Sequence, residues 1–160
     1  MTFQIAKSLR FARETLSNPP TEKWIDRGDP QGEMVFEFVL PLELCKPFNQ
    51  AGRAGTASQG RIIGKLKKTA YQLMWAQNGG NAKAPLSGRP HVVCVRFSSV
   101  ASDADSGWTK SPVDRLRVGK NGLGIIEDDK RKNIKLMAWW ERAPKNEGFV
   151  YVAVFSGGEG

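Results

Sequence analysis

The chain has 160 residues and carries 24 lysines and arginines against 16 acidic residues, with one histidine and two cysteines. This length suits one domain whose hydrophobic core needs neither a disulfide nor a structural metal. A single histidine and two distant cysteines exclude a four-ligand zinc site, and no apolar run is long enough to span a membrane. We therefore expect a soluble, cytoplasmic protein with reduced structural thiols.

The first half of the chain contains two predicted helices and one predicted strand. Apolar residues at helical spacing predict a helix over residues 5–16, which ends at Asn18-Pro19-Pro20. Alternating side chains over 31–40 predict a strand. Residues 52–60, rich in Gly, Ala, Ser and Thr, are interpreted as a mobile loop, and they precede the strongest helix pattern, over 61–77.

The second half contains three predicted strands and a short helix. A strand over 91–99 is apolar on both faces, as expected for a central strand, and a short helix with Pro112 in its first turn follows it. Residues 134–140 and 149–155 are rich in β-branched and aromatic residues, and we interpret 143–148 as a hairpin-like connection between them. This order of elements predicts an α+β fold in which helices pack on a mixed β-sheet.

The positive charge is concentrated in the middle of the chain, where no acidic residue occurs between Glu43 and Asp103. On the helix predicted over 61–77, the basic side chains lie opposite the apolar face. A surface of one charge sign predicts a polyanion partner, nucleic acid above all, although a solvated lysine-rich face is the alternative. The predicted DNA-binding residues are Lys46, Arg53, Arg61, Lys65 and Lys68.

Acidic residues begin where the basic stretch stops. Asp103 and Asp105 follow the strand predicted over 91–99, and a second cluster, Glu127-Asp128-Asp129, follows Ile125-Ile126. Carboxylates from two points of the chain make a Mg²⁺ site possible, because Mg²⁺ needs only one or two carboxylates beside water and phosphate oxygens. Lys110, near the first cluster, could stabilise charge on a phosphate. The alternative is that these residues are solvated loop positions.

The same residues carry a resemblance to a known family. The stretch Asp103-Ala-Asp105-Ser-Gly-Trp-Thr-Lys110-Ser-Pro-Val-Asp114-Arg-Leu116, followed by Gly124-Ile-Ile-Glu-Asp128-Asp129, resembles the RusA family of Holliday-junction resolvases. That family has an Asp-x-Asp-Asn, a nearby Lys, a helical Asp-x-Leu, and an apolar pair before Asp-Asp. The family also has a Pro-rich turn after its early strand, and a similar pattern occurs in this sequence at Leu40-Pro41 with Lys46-Pro47-Phe48-Asn49.

The resemblance implies a homodimeric, Mg²⁺-dependent endonuclease that nicks opposing strands of four-way DNA junctions symmetrically. By position, the resemblance implies that the metal ligands are Asp103, Asp105 and Asp129, with Asp128 as the fallback for Asp129. It also implies that Lys110 is the catalytic lysine. We assign residues 1–30 to an N-terminal helical extension and 31–160 to a single RusA-like nuclease domain.

Two other functions are compatible with the sequence. A non-catalytic DNA- or RNA-binding protein would use the same basic helix, and a phage regulator could be built on a degenerate resolvase scaffold, since Ser106 stands where the family often has Asn. Trp108, in a polar stretch beside the aspartates, is a candidate for base stacking. Five aromatic residues of the last two strands could supply apolar surface for a dimer, although ordinary core packing explains most of them: Trp139, Trp140, Phe149, Tyr151 and Phe155.

Overall fold

The computed structural model describes residues 3–19, 27–45, 57–77, 85–101, 107–127 and 132–157. Within these ranges lie the helices α1 (Ile5–Ser17), α2 (Ala57–Gln77) and α3 (Lys110–Asp114) and the strands β1 (Met34–Pro41), β2 (His91–Ser98), β3 (Lys135–Arg142) and β4 (Phe149–Phe155), with a 3₁₀ turn at Leu42–Leu44. The predicted α+β fold with a mixed sheet is confirmed. None of the described helices is long and apolar enough to cross a membrane.

The four strands form one sheet in the order β1-β4-β2-β3. Strand β4 is antiparallel to both of its neighbours, and β2 is parallel to β3. The predicted hairpin between the last two strands is therefore wrong, because β4 inserts between β1 and β2. The physical reason is burial: β4 is buried on both faces almost throughout, as a central strand must be, whereas β3 begins with exposed residues that suit an edge.

The connection from β3 to β4 crosses the end of β2. The Ala143 N–H donates to the Ser98 carbonyl oxygen at 3.0 Å, which ties this crossing to the last residue of β2. A Cβ at Gly148 would collide with the Leu42 side chain and would approach the Phe97 carbonyl oxygen at 3.0 Å. Glycine therefore allows the chain to pass this closely over the sheet.

The sheet is covered on both faces. Helices α2 and α3 pack on the face that includes Val92 and Val152, and α1 packs on the other, where the Phe11 ring lies edge-on to Phe97 at 5.7 Å. Free thiols at Cys45 and Cys94 are buried in the first of these cores, which raises the pKa of both.

The aromatic residues of the last two strands belong to the core of the single chain. Trp139, Trp140, Phe149 and Tyr151 are at most 8% exposed, and Phe155 is partly buried. Ordinary core packing therefore accounts for Trp139, Trp140, Phe149 and Tyr151, and these four do not supply the apolar surface for a dimer.

Helix α2 begins at Ala57, inside the stretch interpreted as a mobile loop over 52–60, so that interpretation is wrong for 57–60. Residues 52–56 lie outside the described ranges. Ala and Gln favour helix strongly enough to offset the cost of a single Gly. In the second half of α2, Ala70 and Met74 are fully buried, whereas Ile62, within the apolar pattern of the predicted helix, is 54% exposed.

Gln77, the last residue of α2, covers the outer edge of β1. Its Oε1 accepts the Val39 N–H and its Nε2 donates to the Val39 carbonyl oxygen, both at 2.8 Å. The side chain thus forms hydrogen bonds with both the N–H and the carbonyl oxygen of Val39, as a neighbouring strand would. These two groups are therefore not free to pair with a strand of another chain.

The N-terminal segment is fastened to the sheet by Arg27. Its Nε donates to Glu141 Oε2 at 2.6 Å, and its terminal nitrogens donate to the carbonyl oxygens of Asn18 and Thr15 at the end of α1. Trp139 Nε1 donates to the same Glu141 oxygen at 3.0 Å. Arg27 therefore joins α1 to β3, while the division of the chain at residue 30 stays a prediction.

Stability should fall in mild acid because of His91, which is buried at the start of β2. Its Nδ1 accepts the Gln31 N–H at 3.1 Å, and burial, Lys135 and Arg89 lower its pKa. As pH falls through about 6.5, the ordinary histidine value, the unfolded chain binds a proton that the folded chain resists. Urea unfolding from pH 7.5 to pH 5 should show this loss in the wild type.

The matched variant is His91→Asn, whose side-chain oxygen can accept the same N–H without titrating. The difference in stability between wild type and variant should shrink or reverse as pH falls. Parallel pH curves for the two proteins would contradict a role for His91 in the acid loss.

Candidate functional site

The predicted site residues divide between described and undescribed parts of the chain. Arg61, Lys65, Lys68 and Lys110 are described. The remaining predicted residues lie outside the described ranges: Lys46, Arg53, Asp103, Asp105, Asp128 and Asp129. Within the described ranges no group of three or more His, Cys, Asp or Glu side chains could hold a metal ion. The Mg²⁺ site therefore stays a prediction from the sequence.

The segment 107–127 lies between Asp105 and Asp128 in the sequence and folds back on itself. After α3, the chain turns at Gly124, whose φ of 74° favours glycine, and Ile126 then forms an isolated parallel bridge with Arg117. The Leu116 carbonyl oxygen accepts the N–H groups of Ile125 at 2.9 Å and Ile126 at 3.1 Å. The residues that lead into the second acidic cluster therefore run beside the end of α3.

Lys110 begins α3, and the residues around it fix that helix to the core. Its side chain is exposed, whereas Ser111, Pro112 and Val113 are buried. Ser111 Oγ donates to the Leu44 carbonyl oxygen at 2.9 Å, which attaches α3 to the 3₁₀ turn after β1. The lysine is thus presented to solvent from an anchored helix.

Trp108 is not available for base stacking. Its side chain is 1% exposed and belongs to the core under α2 and α3. The prediction of a stacking role is wrong because Trp108 belongs to the same buried cluster as Leu116, which the polar sequence around it did not indicate. Its burial instead helps to hold the start of α3 in place.

Polar side chains gather at the carboxyl ends of the parallel strands β2 and β3. Trp140 Nε1 donates to Ser98 Oγ at 3.0 Å, and Ser98 Oγ donates to the Val100 carbonyl oxygen at 2.7 Å. The Arg142 guanidinium lies 5.2 Å from the centre of the Trp140 ring, close enough for a cation–π interaction. Asp103 follows the end of β2 by five residues in the sequence, and the carboxyl ends of parallel strands are where α/β sheets commonly bind ligands.

Arg96 lies two residues before the end of β2, on the same side of the strand as Ser98. Its charge lowers the pKa of the Cys45 thiol against the larger effect of burial. Its Nε is buried and has no hydrogen-bond partner. Arg96 and Arg142 therefore add positive charge to the carboxyl ends of β2 and β3.

The basic residues of α2 form an exposed face. Arg61, Lys65 and Lys68 are all exposed, as predicted, and lie opposite the positions that pack on the sheet. None of the three forms an ion pair with a described acidic residue. Their charge is therefore not neutralised by the described part of the protein and can act on a polyanion.

Sequence reasoning did not single out Arg96 or Arg142, which lie at the carboxyl ends of β2 and β3. The signal that could have indicated them is their position at the ends of strands, but it has meaning only once β2 and β3 are known to be parallel neighbours. No protein-family model matches this sequence, and no curated protein matches it.

Proposed function

We propose that the protein is a Mg²⁺-dependent, structure-selective endonuclease that resolves four-way DNA junctions. The observation that carries this proposal is the folding of segment 107–127, in which Ile126 pairs beside the end of α3. Gly107 directly follows the stretch that contains Asp103 and Asp105, and Glu127 directly precedes Asp128 and Asp129. In the sequence, the two predicted acidic clusters therefore flank one folded segment.

The predicted donor set suits the metal. Asp103, Asp105 and Asp129 supply hard oxygen atoms of the kind that Mg²⁺ prefers, with Asp128 as the fallback. When bound, Mg²⁺ activates a water, orients the phosphate and neutralises its developing charge. Lys110 adds a positive charge that stabilises the phosphate or the leaving oxygen. The exposed position of Lys110 on an anchored helix supports this role.

Symmetric resolution implies two active sites. One chain offers one predicted carboxylate cluster, so two chains related by a two-fold axis are needed for paired nicks. We propose a cytoplasmic homodimer that acts in recombination or repair. Its interface would use surfaces other than the buried aromatic residues of β3 and β4.

The exposed basic face of α2 supports a second candidate function, a non-catalytic DNA- or RNA-binding protein. This function needs only Arg61, Lys65 and Lys68 and makes no use of the acidic clusters or of Lys110. A regulator with an inactive resolvase scaffold would behave in the same way.

A labelled synthetic four-way junction separates these functions. The enzyme proposal expects cuts in Mg²⁺ and none in EDTA, with little cutting of a linear duplex of the same sequence. Tight junction binding in both buffers, without cuts in either, would support the binding protein instead.

Replacing Arg61, Lys65 and Lys68 together with Gln should weaken junction binding and flatten its dependence on salt. Each lost phosphate contact lowers the slope of log affinity against log salt by about 0.9 on duplex arms, so the expected loss is as much as about 2.7. Fluorescence anisotropy across a salt series measures this slope.

The control removes the same charge from exposed residues elsewhere, with Gln at Arg10, Lys135 and Lys145. Its slope should stay close to that of the wild type. Equal slopes for the two triple variants would remove the α2 face from the DNA interface.

A further inference from the structure

Arg142, the last residue of β3, is an exposed cation whose guanidinium is held in place by the sheet. The guanidinium carbon lies 5.2 Å from the centre of the Trp140 ring, and Nη1 donates to the Ser99 carbonyl oxygen at 3.4 Å. Trp140 is itself fixed, because it is 7% exposed and its Nε1 donates to Ser98 Oγ at 3.0 Å. An exposed arginine normally samples many rotamers, so Arg142 has lost part of that freedom before any ligand binds.

The carboxylates nearest to Arg142 in the sequence are engaged elsewhere. Successive residues of a strand point to opposite faces, so Glu141 lies on the face opposite to Arg142. There its Oε2 accepts from Arg27 Nε at 2.6 Å. Glu147, in the connection to β4, pairs with Lys7. Among the acidic side chains in the described ranges, none forms an ion pair with Arg142.

A second arginine adds positive charge to the same face of the sheet. In the parallel register Arg96 is the partner of Trp140, and Ser98 is the partner of Arg142, so both arginines lie on one face of neighbouring strands. Arg96 is half-buried and likewise forms no ion pair with a described acidic residue. Two neighbouring cations without a described counter-ion create a positive potential that attracts an anion to the accessible one, Arg142.

We propose that Arg142 binds a phosphate of a nucleic-acid backbone. Among the described residues its guanidinium makes one hydrogen bond, to Ser99, so its remaining N–H groups can donate to a ligand. A planar guanidinium matches two oxygens of one phosphate, and the contact with Trp140 restricts where these donors lie. One arginine would hold free phosphate weakly, because association has a large entropic cost, so the phosphate belongs to a nucleic acid that other contacts also hold. The inference rests on nucleic-acid binding, which both candidate functions share.

The test is binding of a labelled four-way junction in EDTA, measured by fluorescence anisotropy across a salt series. Arg142→Gln should weaken binding about tenfold or more, because hydrogen bonds to a charged group are lost, and should lower the salt slope by about 0.9. Arg10→Gln is the charge-matched control, at an exposed position on α1, which packs on the other face of the sheet. It should change neither quantity.

Arg142→Lys separates a positioned phosphate contact from a general attraction between charges. Lysine keeps the positive charge, so the salt slope should stay close to that of the wild type. Its ammonium has no planar pair of donors, so junction binding should still be weaker by about threefold or more. The Tm of each variant checks its folding. If Arg142→Gln does not fold, Arg142→Met, whose apolar chain can keep the contact with Trp140, takes its place under the same criteria.

Four results would overturn the proposal. One is an Arg142→Gln variant with the affinity and salt slope of the wild type, and another is an equal loss in Arg10→Gln, which would mean that only net charge matters. The third is an Arg142→Lys variant that binds as tightly as the wild type. The fourth is displacement of the junction by inorganic phosphate, exchanged for chloride at equal ionic strength, from the wild type but not from Arg142→Gln, which would assign the contact to free phosphate.

These failures are distinguishable from a failure of the proposed function. In each of the four results the wild-type protein still binds the junction, and none of the measurements uses cleavage. A wild-type protein that does not bind the junction would overturn both the phosphate contact at Arg142 and the proposed function.

Discussion

Asparagine at Asp103, Asp105 or Asp129 is expected to abolish junction cleavage in Mg²⁺ while junction affinity stays equal or rises. Each substitution removes a predicted metal ligand and also a negative charge that would face the DNA phosphates. Gel assays of cleavage and anisotropy measurements of binding on the same preparations separate the two effects. Asp29→Asn, at an exposed aspartate outside the predicted site, is the control and should cut at the wild-type rate.

The same assays decide between the neighbouring aspartates. If Asp128→Asn loses cleavage and Asp129→Asn keeps it, the ligand is Asp128. Lys110→Ala should lower the cleavage rate by orders of magnitude with only a modest loss of binding, because the lysine is proposed to stabilise charge that develops during the reaction. Normal cleavage by every aspartate variant would refute the metal site.

The largest effect on stability is expected at the ion pair between Arg27 and Glu141. The Glu141 side chain is 6% exposed and that of Arg27 is 15% exposed, so Arg27→Met leaves a carboxylate buried without its cation. Breaking a buried pair in this way costs about 3–5 kcal/mol of the free energy of unfolding. Urea unfolding near pH 7 measures this loss.

A surface pair in the same protein provides the control. Lys7 Nζ lies 2.9 Å from Glu147 Oε1, but the two side chains are 65% and 47% exposed. Lys7→Met should therefore lower the free energy of unfolding by no more than about 1 kcal/mol. The double variant Arg27→Met with Glu141→Gln should recover part of the loss, because the unpaired charge is gone. An Arg27→Met variant as stable as Lys7→Met would contradict the proposed fastening of α1 to the sheet.

Local patterns predicted the elements of this fold well. The apolar spacing over 5–16 and the continuous apolar stretch over 91–99 correspond closely to α1 and β2. Which strands lie side by side could not be predicted in the same way, because pairing depends on contacts between distant parts of the chain. The absence of charged residues from Phe149–Phe155 indicated that β4 is a central strand. The short separation of β3 and β4 along the chain nevertheless favoured a hairpin between them.

The candidate site was predicted less completely because burial of a polar or aromatic side chain depends on tertiary packing. Trp108 has polar neighbours in sequence and is nevertheless a core residue. Arg115, directly after α3, resembles any solvated arginine in the sequence, and only its burial distinguishes it. Conversely, the exposed basic face of α2 follows from helical period alone and was predicted correctly.

The most direct test of the proposed function is cleavage of a four-way junction labelled in turn on each strand, with wild type and Asp103→Asn side by side, in Mg²⁺ and in EDTA. The proposal predicts paired cuts at symmetric positions on opposing strands, made only by the wild type and only with Mg²⁺. A wild-type protein that binds the junction and leaves all four strands intact in Mg²⁺, or cuts that persist in Asp103→Asn, would contradict it.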